Sequence, residues 1–173
     1  MTDRELDLES RRAIYQYVAT NPGVHFRGLL ESLDYAQGTV QYHLRWLETQ
    51  GLIEESDDGK FTRYYPADSF DEIDQTVMNA LRREYARRVL AHLVADGPLS
   101  TGELSDRLGK SPSTVSWHLS KLVDADLVTK ERQGRRVEYE LTDPDRIKYL
   151  YTIHRKTFTD RVVDRLLDLW DSY

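Results

Sequence analysis

Residues 99–128 read LSTGELSDRLGKSPSTVSWHLSKLVDADLV, and their punctuation decides the fold. Ser100 with Glu103 three residues later is the signature of a capping box at a helix start. Leu104 and Leu108 follow at helical spacing, and Gly109 supplies the stop. Ser111 or Ser113 caps a second helix running to about Asp124, with Val115, Leu119 and Leu122 on one face. The stretch is therefore two short helices joined by a tight turn, leading into the apolar pair Leu127-Val128.

Upstream, residues 83–95 place Tyr85, Val89, Leu90 and Leu93 on one helical face, and Asp96-Gly97-Pro98 ends that helix. Downstream, Thr129-Lys130-Glu131-Arg132 leads through a turn at Gln133-Gly134 into Arg135-Arg136-Val137-Glu138-Tyr139-Glu140-Leu141. Val137, Tyr139 and Leu141 alternate with charged residues as a half-buried strand requires, and Gly134 supplies the positive φ of a hairpin turn. The order is helix, helix, short turn, helix, two-stranded hairpin.

The same order occurs earlier in the chain. A shift of 75 residues aligns 12–68 with 87–143 without a gap. The identities fall on apolar positions and on the turn glycine: Leu29 on Leu104, Leu44 on Leu119, Leu47 on Leu122, Gly59 on Gly134 and Tyr64 on Tyr139. The first copy has helices over about 5–20, 25–33 and 37–49, with a hairpin turning at Asp57-Asp58-Gly59. The chain thus divides into a first domain at 1–68, a helical linker at 69–81, a second domain at 82–143 and a C-terminal helix at 144–173.

The 173 residues carry a net charge of −6, unevenly spread. Residues 1–80 hold 7 basic against 15 acidic side chains, whereas 81–143 hold 11 against 10. The acidity lies in the first copy. Arg outnumbers Lys 18 to 6, and Asp outnumbers Glu 18 to 12. That bias suggests a salt-loving source organism, and a GC-rich genome would also favour Arg over Lys. The absence of cysteine removes disulfides, thiolate metal ligands and thiol nucleophiles together. No apolar run approaches the ~20 residues of a membrane helix, and the N-terminus lacks a signal-peptide pattern. A cytoplasmic protein is the expectation.

The stretch from Leu99 to Leu104, then Ser113 to Leu122 and on to Val128, resembles the helix-turn-helix of bacterial and archaeal winged-helix repressors such as the ArsR and MarR groups. Over residues 5–143 the chain resembles archaeal regulators with two such domains in tandem. The resemblance implies an α+β fold, mainly helical with small β-hairpins: two tandem winged-helix domains plus a long C-terminal helix. It also implies sequence-specific binding of double-stranded DNA by a transcriptional regulator. The metal-sensing ArsR-like branch uses a cysteine motif that this chain lacks, so metal-responsive repression does not carry over.

In such a domain the third helix enters the major groove with its outer face toward base edges. Opposite Val115, Leu119 and Leu122 lie Ser113, Trp117 and Ser120, flanked by Ser111, Thr114, Ser116 and Lys121. The matching face of the first copy is Gly38, Tyr42 and Arg45, with Gln37, Thr39, Gln41 and Trp46 beside it. Tyr42 and Trp117 either contact DNA or pack on another domain or subunit. His43 and His118 sit at the edge of the buried stripe, as boundary packing residues or phosphate contacts. The second wing carries Lys130, Arg132, Arg135 and Arg136, which can reach phosphates or the minor groove. The first wing opposes Glu54, Glu55, Asp57 and Asp58 to Lys60 and Arg63 alone. The second domain is therefore expected to supply most of the affinity for DNA.

In the linker, Phe70, Ile73, Val77 and Leu81 recur at helical spacing, compatible with a helix running on into domain two or kinking near Asn79. In the tail, Asp143 caps and Pro144 opens a helix, with Ile147, Leu150, Tyr151, His154, Phe158, Val162, Leu166, Leu169 and Trp170 forming one stripe. Homodimerisation through this helix is the expectation, and folding back onto domain two is the alternative. No phosphate loop, nucleophile elbow or metal-spaced histidine pair is present, so neither an enzyme, a cofactor nor a metal site is expected. The competing readings are a protein-binding winged-helix scaffold and a sensor with an effector pocket between domain and tail helix. The sequence names no effector.

Overall fold

The computed structural model describes residues 3–158 and Val163, with side chains from Leu8 onward. The described chain forms two compact units, Met1–Asn79 and Ala80–Tyr173. Each is a winged-helix fold of mixed α+β class.

In unit one, α1 (Asp3–Thr20) is followed by a two-residue strand β1 (Val24–His25), α2 (Phe26–Ser32), α3 (Gln37–Thr49) and the hairpin β2 (Ile53–Asp57) and β3 (Thr62–Pro66). Ile14 and Val18 from α1, Leu29 from α2, and Val40, Leu44 and Leu47 from α3 pack with Val24 and Ile53 into one core. The helical period delivers these side chains to one side, and their burial supplies the driving force for packing. The sheet order is β1-β3-β2, antiparallel throughout.

Helix α4 (Glu72–Leu81) follows the hairpin. Its Gln75 Nε2 donates to Glu54 Oε1 at 2.9 Å, and its Asn79 Nδ2 donates to Ser56 Oγ at 3.0 Å. The Tyr65 hydroxyl of β3, fully buried, donates to Asn79 Oδ1 at 2.6 Å. One face of the first hairpin is thus held by the linker helix. The linker does not run on unbroken: α4 ends at Leu81 and the next helix starts at Glu84.

Unit two contains α5 (Glu84–Asp96), α6 (Thr101–Leu108), α7 (Pro112–Asp124) and the hairpin β4 (Val128–Gln133) and β5 (Arg136–Leu141). A Cβ at Gly97 would stand 2.5 Å from the Leu93 carbonyl oxygen, so glycine alone lets the chain leave α5 along this path. The expected capping box forms: Glu103 N–H donates to Ser100 Oγ at 3.2 Å and Ser100 N–H to Glu103 Oε2 at 2.8 Å. Of the two serines that could open α7, Ser111 is the cap, its Oγ accepting from Thr114 N–H at 3.3 Å.

The 75-residue shift holds for the strand register as well as for the sequence. Ile53 pairs with Pro66 and Val128 with Leu141; Asp57 pairs with Thr62 and Arg132 with Val137. The edge contact of Val24 with Tyr64 recurs as Leu99 with Tyr139. That edge strand is the one element of the module absent from the order read in the sequence. In both copies the turn also lies one residue further on than expected. Gln133 pairs with Arg136, and Asp58 N–H donates to the Phe61 carbonyl at 3.1 Å, so Gly134 and Gly59 open their turns with positive φ.

The tail departs from the single helix expected over 144–173. Helix α8 spans Pro144–His154, a 3-10 turn covers Arg155–Thr157, and Phe158 is extended. Thr157 accepts the Arg82 guanidinium at its hydroxyl, 2.9 Å, and at its carbonyl, 3.2 Å. The Phe158 ring stacks on Tyr151 at 5.2 Å and lies under the Arg82 guanidinium at 4.7 Å. These contacts hold the chain where it leaves the helical path. Ile147, Leu150, Tyr151 and Phe158 are buried, and α8 packs on α5. Val162, Leu166, Leu169 and Trp170, the rest of the expected stripe, lie outside the described residues. No helix among the described residues is long and apolar enough to cross a membrane.

Candidate nucleic-acid interface

Helices α3 and α7 coincide with the expected recognition helices at 37–49 and 112–124, and each turns one face outward. On α7, Val115, Leu119 and Leu122 are buried, while Ser113, Thr114, Ser116, Trp117, Ser120 and Lys121 are exposed, as is the cap Ser111. On α3, Val40, Leu44 and Leu47 are buried, while Gln37, Gln41, Tyr42 and Arg45 are exposed and Thr39 is half-buried. Trp46 does not join that face. It is half-buried against the core, and the Arg11 guanidinium covers it at 3.7 Å from the ring centroid.

The two histidines differ. His43 is fully buried and accepts from Arg11 Nε at 3.4 Å, which leaves it no route to a phosphate. His118 is half-buried at the boundary, its ring 5.4 Å from that of Tyr85 on α5. Burial, and then the nearby Arg83 charge, hold His118 below the ordinary histidine range.

On the second hairpin, Lys130, Arg132, Arg135 and Arg136 are all exposed. The cross-strand pairs sort their charge. Lys130 faces Tyr139 and Arg132 faces Val137 on one side, while Glu131 faces Glu138 and Thr129 faces Glu140 on the other. Arg136 lies on the acidic side, with its Nη2 2.7 Å from Glu103 Oε2 and its Nε 2.6 Å from Glu138 Oε1. Hydrogen bonds from the Ser100 backbone and then from Arg136 hold the Glu103 carboxyl below its usual range. The exposed cations of this hairpin without a carboxylate partner among the described contacts are Lys130, Arg132 and Arg135.

The first hairpin is acidic and internally braced. Asp58 accepts from Lys60 and Phe61 backbone N–H groups at 2.8 and 2.7 Å, and its other oxygen meets Arg63 Nε. Arg63 is buried and also donates to the Gly23 carbonyl at 2.9 Å, so it offers no charge at the surface. Burial and then the Glu48 charge push the Glu55 carboxyl up. The supporting residues Arg11, stacked on Trp46, and Lys110, its Nζ 4.9 Å from the Tyr85 ring, escape sequence reasoning, because their contacts cross between elements.

A tri-helical core, a helix-turn-helix with an outward third helix and a β-hairpin wing define each unit as a winged helix-turn-helix domain. Two family models agree on the helix-turn-helix. A family model described as an N-terminal HTH domain matches residues 8–78, and one described as a helix-turn-helix domain matches residues 82–131. The uncharacterized HTH-type transcriptional regulator MJ1398 of Methanocaldococcus jannaschii is 31% identical over 135 residues, 78% of this chain and 34% of that protein. The uncharacterized HTH-type transcriptional regulator YdfF of Bacillus subtilis is 33% identical over 69 residues, 39% of this chain and 30% of that protein. The chain spans about a third of the length of these relatives. The solved structure of HlyU from Vibrio cholerae is 32% identical, covering 47% of this chain and 87% of its own, with a TM-score of 0.41.

Proposed function

We propose that the chain is a sequence-specific, DNA-binding transcriptional regulator of tandem, ArsR/MarR-like architecture. Its domains are residues 1–68 and 82–143, joined by a helical linker at 69–81 and followed by the tail at 144–173. The observation that carries this reading is the outer face of α7, where serines, Thr114, Trp117 and Lys121 stand exposed over a fully buried inner stripe. Hydroxyls permit close approach to base edges, and a recognition helix reads them in the major groove. Ser111, Ser113, Thr114, Ser116, Trp117, Ser120 and Lys121 form the principal reading face. Gln37, Thr39, Gln41, Tyr42 and Arg45 form the weaker one.

The wing at 130–136 adds phosphate contacts through Lys130, Arg132 and Arg135, whereas Arg136 acts more by placing the wing. The acidic, α4-bound first hairpin adds none. The chain works as a homodimer in the cytoplasm, matching a palindromic site, and the exposed Tyr149 and Ile153 of α8 are the described apolar residues available for pairing. The Asp-rich, Lys-poor composition supports an archaeal, salt-loving source.

The test is a fluorescence-anisotropy titration against the DNA upstream of its own gene, at low and at molar potassium chloride. Tight, sequence-dependent binding is expected, and it is lost in an Arg135→Glu/Arg136→Glu variant. Absence of binding at either salt rejects the reading. It would favour a protein-binding scaffold, whose supporting observation is the acidic surface of unit one around Glu48, Glu55 and Asp57.

A further inference from the structure

Each recognition helix carries one large aromatic side chain on its outer face, and in both it stands edge-on to the histidine that follows it. In unit two, Trp117 is 55% exposed. Its ring stands edge-on to His118, centroids 4.9 Å apart at 83°, and Lys121 Nζ lies 5.5 Å from its centroid. His118 is backed by the Tyr85 ring at 5.4 Å, and Tyr85 by Lys110 Nζ at 4.9 Å. In unit one, Tyr42 is 57% exposed and stands edge-on to His43, centroids 5.1 Å apart at 68°. Arg11, which donates to His43, is itself stacked on Trp46.

The bracing matters because it restricts these rings before anything binds, which lowers the ordering cost of a contact. The residues around them are small or polar: Ser113, Ser116 and Ser120 beside Trp117, and Gly38 and Gln41 beside Tyr42. Each ring is therefore the bulkiest apolar group on a face otherwise built for hydrogen bonding. Lys121 on the same face, and Lys130, Arg132 and Arg135 exposed on the hairpin that follows, suit an anionic partner. The major groove of DNA offers an apolar group at its base edges in one place, the C5-methyl of thymine.

We propose that Trp117, and in the first copy Tyr42, reads thymine by packing its preset ring on the C5-methyl group in the major groove. This rests on the DNA-binding reading above and names the base class that reading leaves open. Apolar contact releases no condensed counterion, so its contribution persists in concentrated salt, where phosphate contacts weaken.

The test uses the full chain and one DNA made twice, from its own upstream region, with thymidine or with deoxyuridine throughout. Replacing thymine by uracil removes the methyl and leaves base pairing intact. Wild-type protein is expected to bind the uracil DNA about fourfold more weakly for each methyl contacted. Trp117→Ala should lower affinity for thymine DNA and lose the discrimination assigned to that residue, and Trp117→Phe should keep part of it. Trp117 is exposed, so circular dichroism melts should show these variants folded. Equal binding of both DNAs by wild-type protein overturns the proposal, as does undiminished discrimination in Trp117→Ala/Tyr42→Ala. If wild-type protein binds neither DNA, the regulator reading itself falls, and this proposal falls with it.

Discussion

Glu103 Oε2 accepts the Ser100 backbone N–H at 2.8 Å and the Arg136 guanidinium at 2.7 Å. The carboxylate that opens α6 therefore also anchors the wing. Arg136 meets Glu138 as well, so most of its charge is satisfied within the protein. Arg135, beside it at the turn, belongs to no such pair among the described contacts.

The salt dependence of DNA binding should separate these two arginines. Each phosphate neutralised contributes about −0.9 to the slope of log affinity against log salt. Arg135→Gln is expected to remove about one such unit. Arg136→Gln is expected to change the slope by much less while still weakening binding, because the wing loses its anchor. Anisotropy titrations at several potassium chloride concentrations measure both slopes, and equal losses would mean that Arg136 contacts phosphate directly.

Acid should destabilise unit two earlier than a typical carboxylate-controlled domain. Burial, followed by the charge of Arg107, Arg83 and Arg82 respectively, holds His92, His118 and His154 below the ordinary histidine value. A native histidine whose pKa lies below its unfolded value of about 6.5 binds fewer protons than the unfolded chain. Lowering the pH through that value therefore favours unfolding, and the loss levels off below the native pKa. Raised Glu55, in unit one, acts with the opposite sign. Denaturant midpoints at pH 7.5 and 5.5 should fall with acid, and by less in His92→Gln.

The linker helix is pinned by a buried hydroxyl. Tyr65→Phe keeps the ring but leaves Asn79 Oδ1, in a residue 9% exposed, without the 2.6 Å donor it has now. A loss of about 1–3 kcal/mol is expected on urea unfolding. A neutral result would mean that water replaces the hydroxyl.

The repeat itself suggests a stabilising change. Gly51 and Asp126 occupy the same place after their recognition helices, with φ of 69° and 58°. Glycine adopts this region freely, whereas aspartate has a Cβ to accommodate. Asp126→Gly is expected to gain about 0.5 kcal/mol or to be neutral, the increase in unfolded-state freedom offsetting part of the relief. Thermal melts decide, and a clear loss would reveal a native role for the Asp126 carboxylate.

Local chemistry made much of the module legible. The capping box at Ser100, the stops at Gly109 and Gly51, and the helical periods of Val115, Leu119 and Leu122 act within a few residues, where propensity and pattern suffice. The edge strand at Val24–His25 did not announce itself, because two residues carry no period and gain strand geometry from Tyr64 and Arg63 far along the chain.

What the sequence alone determined is the repeated helix-turn-helix order and which face of α3 and α7 turns outward, because a buried apolar stripe leaves the opposite side exposed. Which exposed charges remain free was decided by tertiary structure. Arg136 and Arg135 are neighbours with identical side chains, yet one meets Glu103 from 33 residues away and the other does not. Arg63 vanished into Asp58 and the Gly23 carbonyl, and Trp46 lay down under Arg11. The tail likewise gave up its helical path where Arg82 and Phe158 meet. Electrostatic and packing partners distant in sequence settle such outcomes, and no local pattern encodes the distance between them.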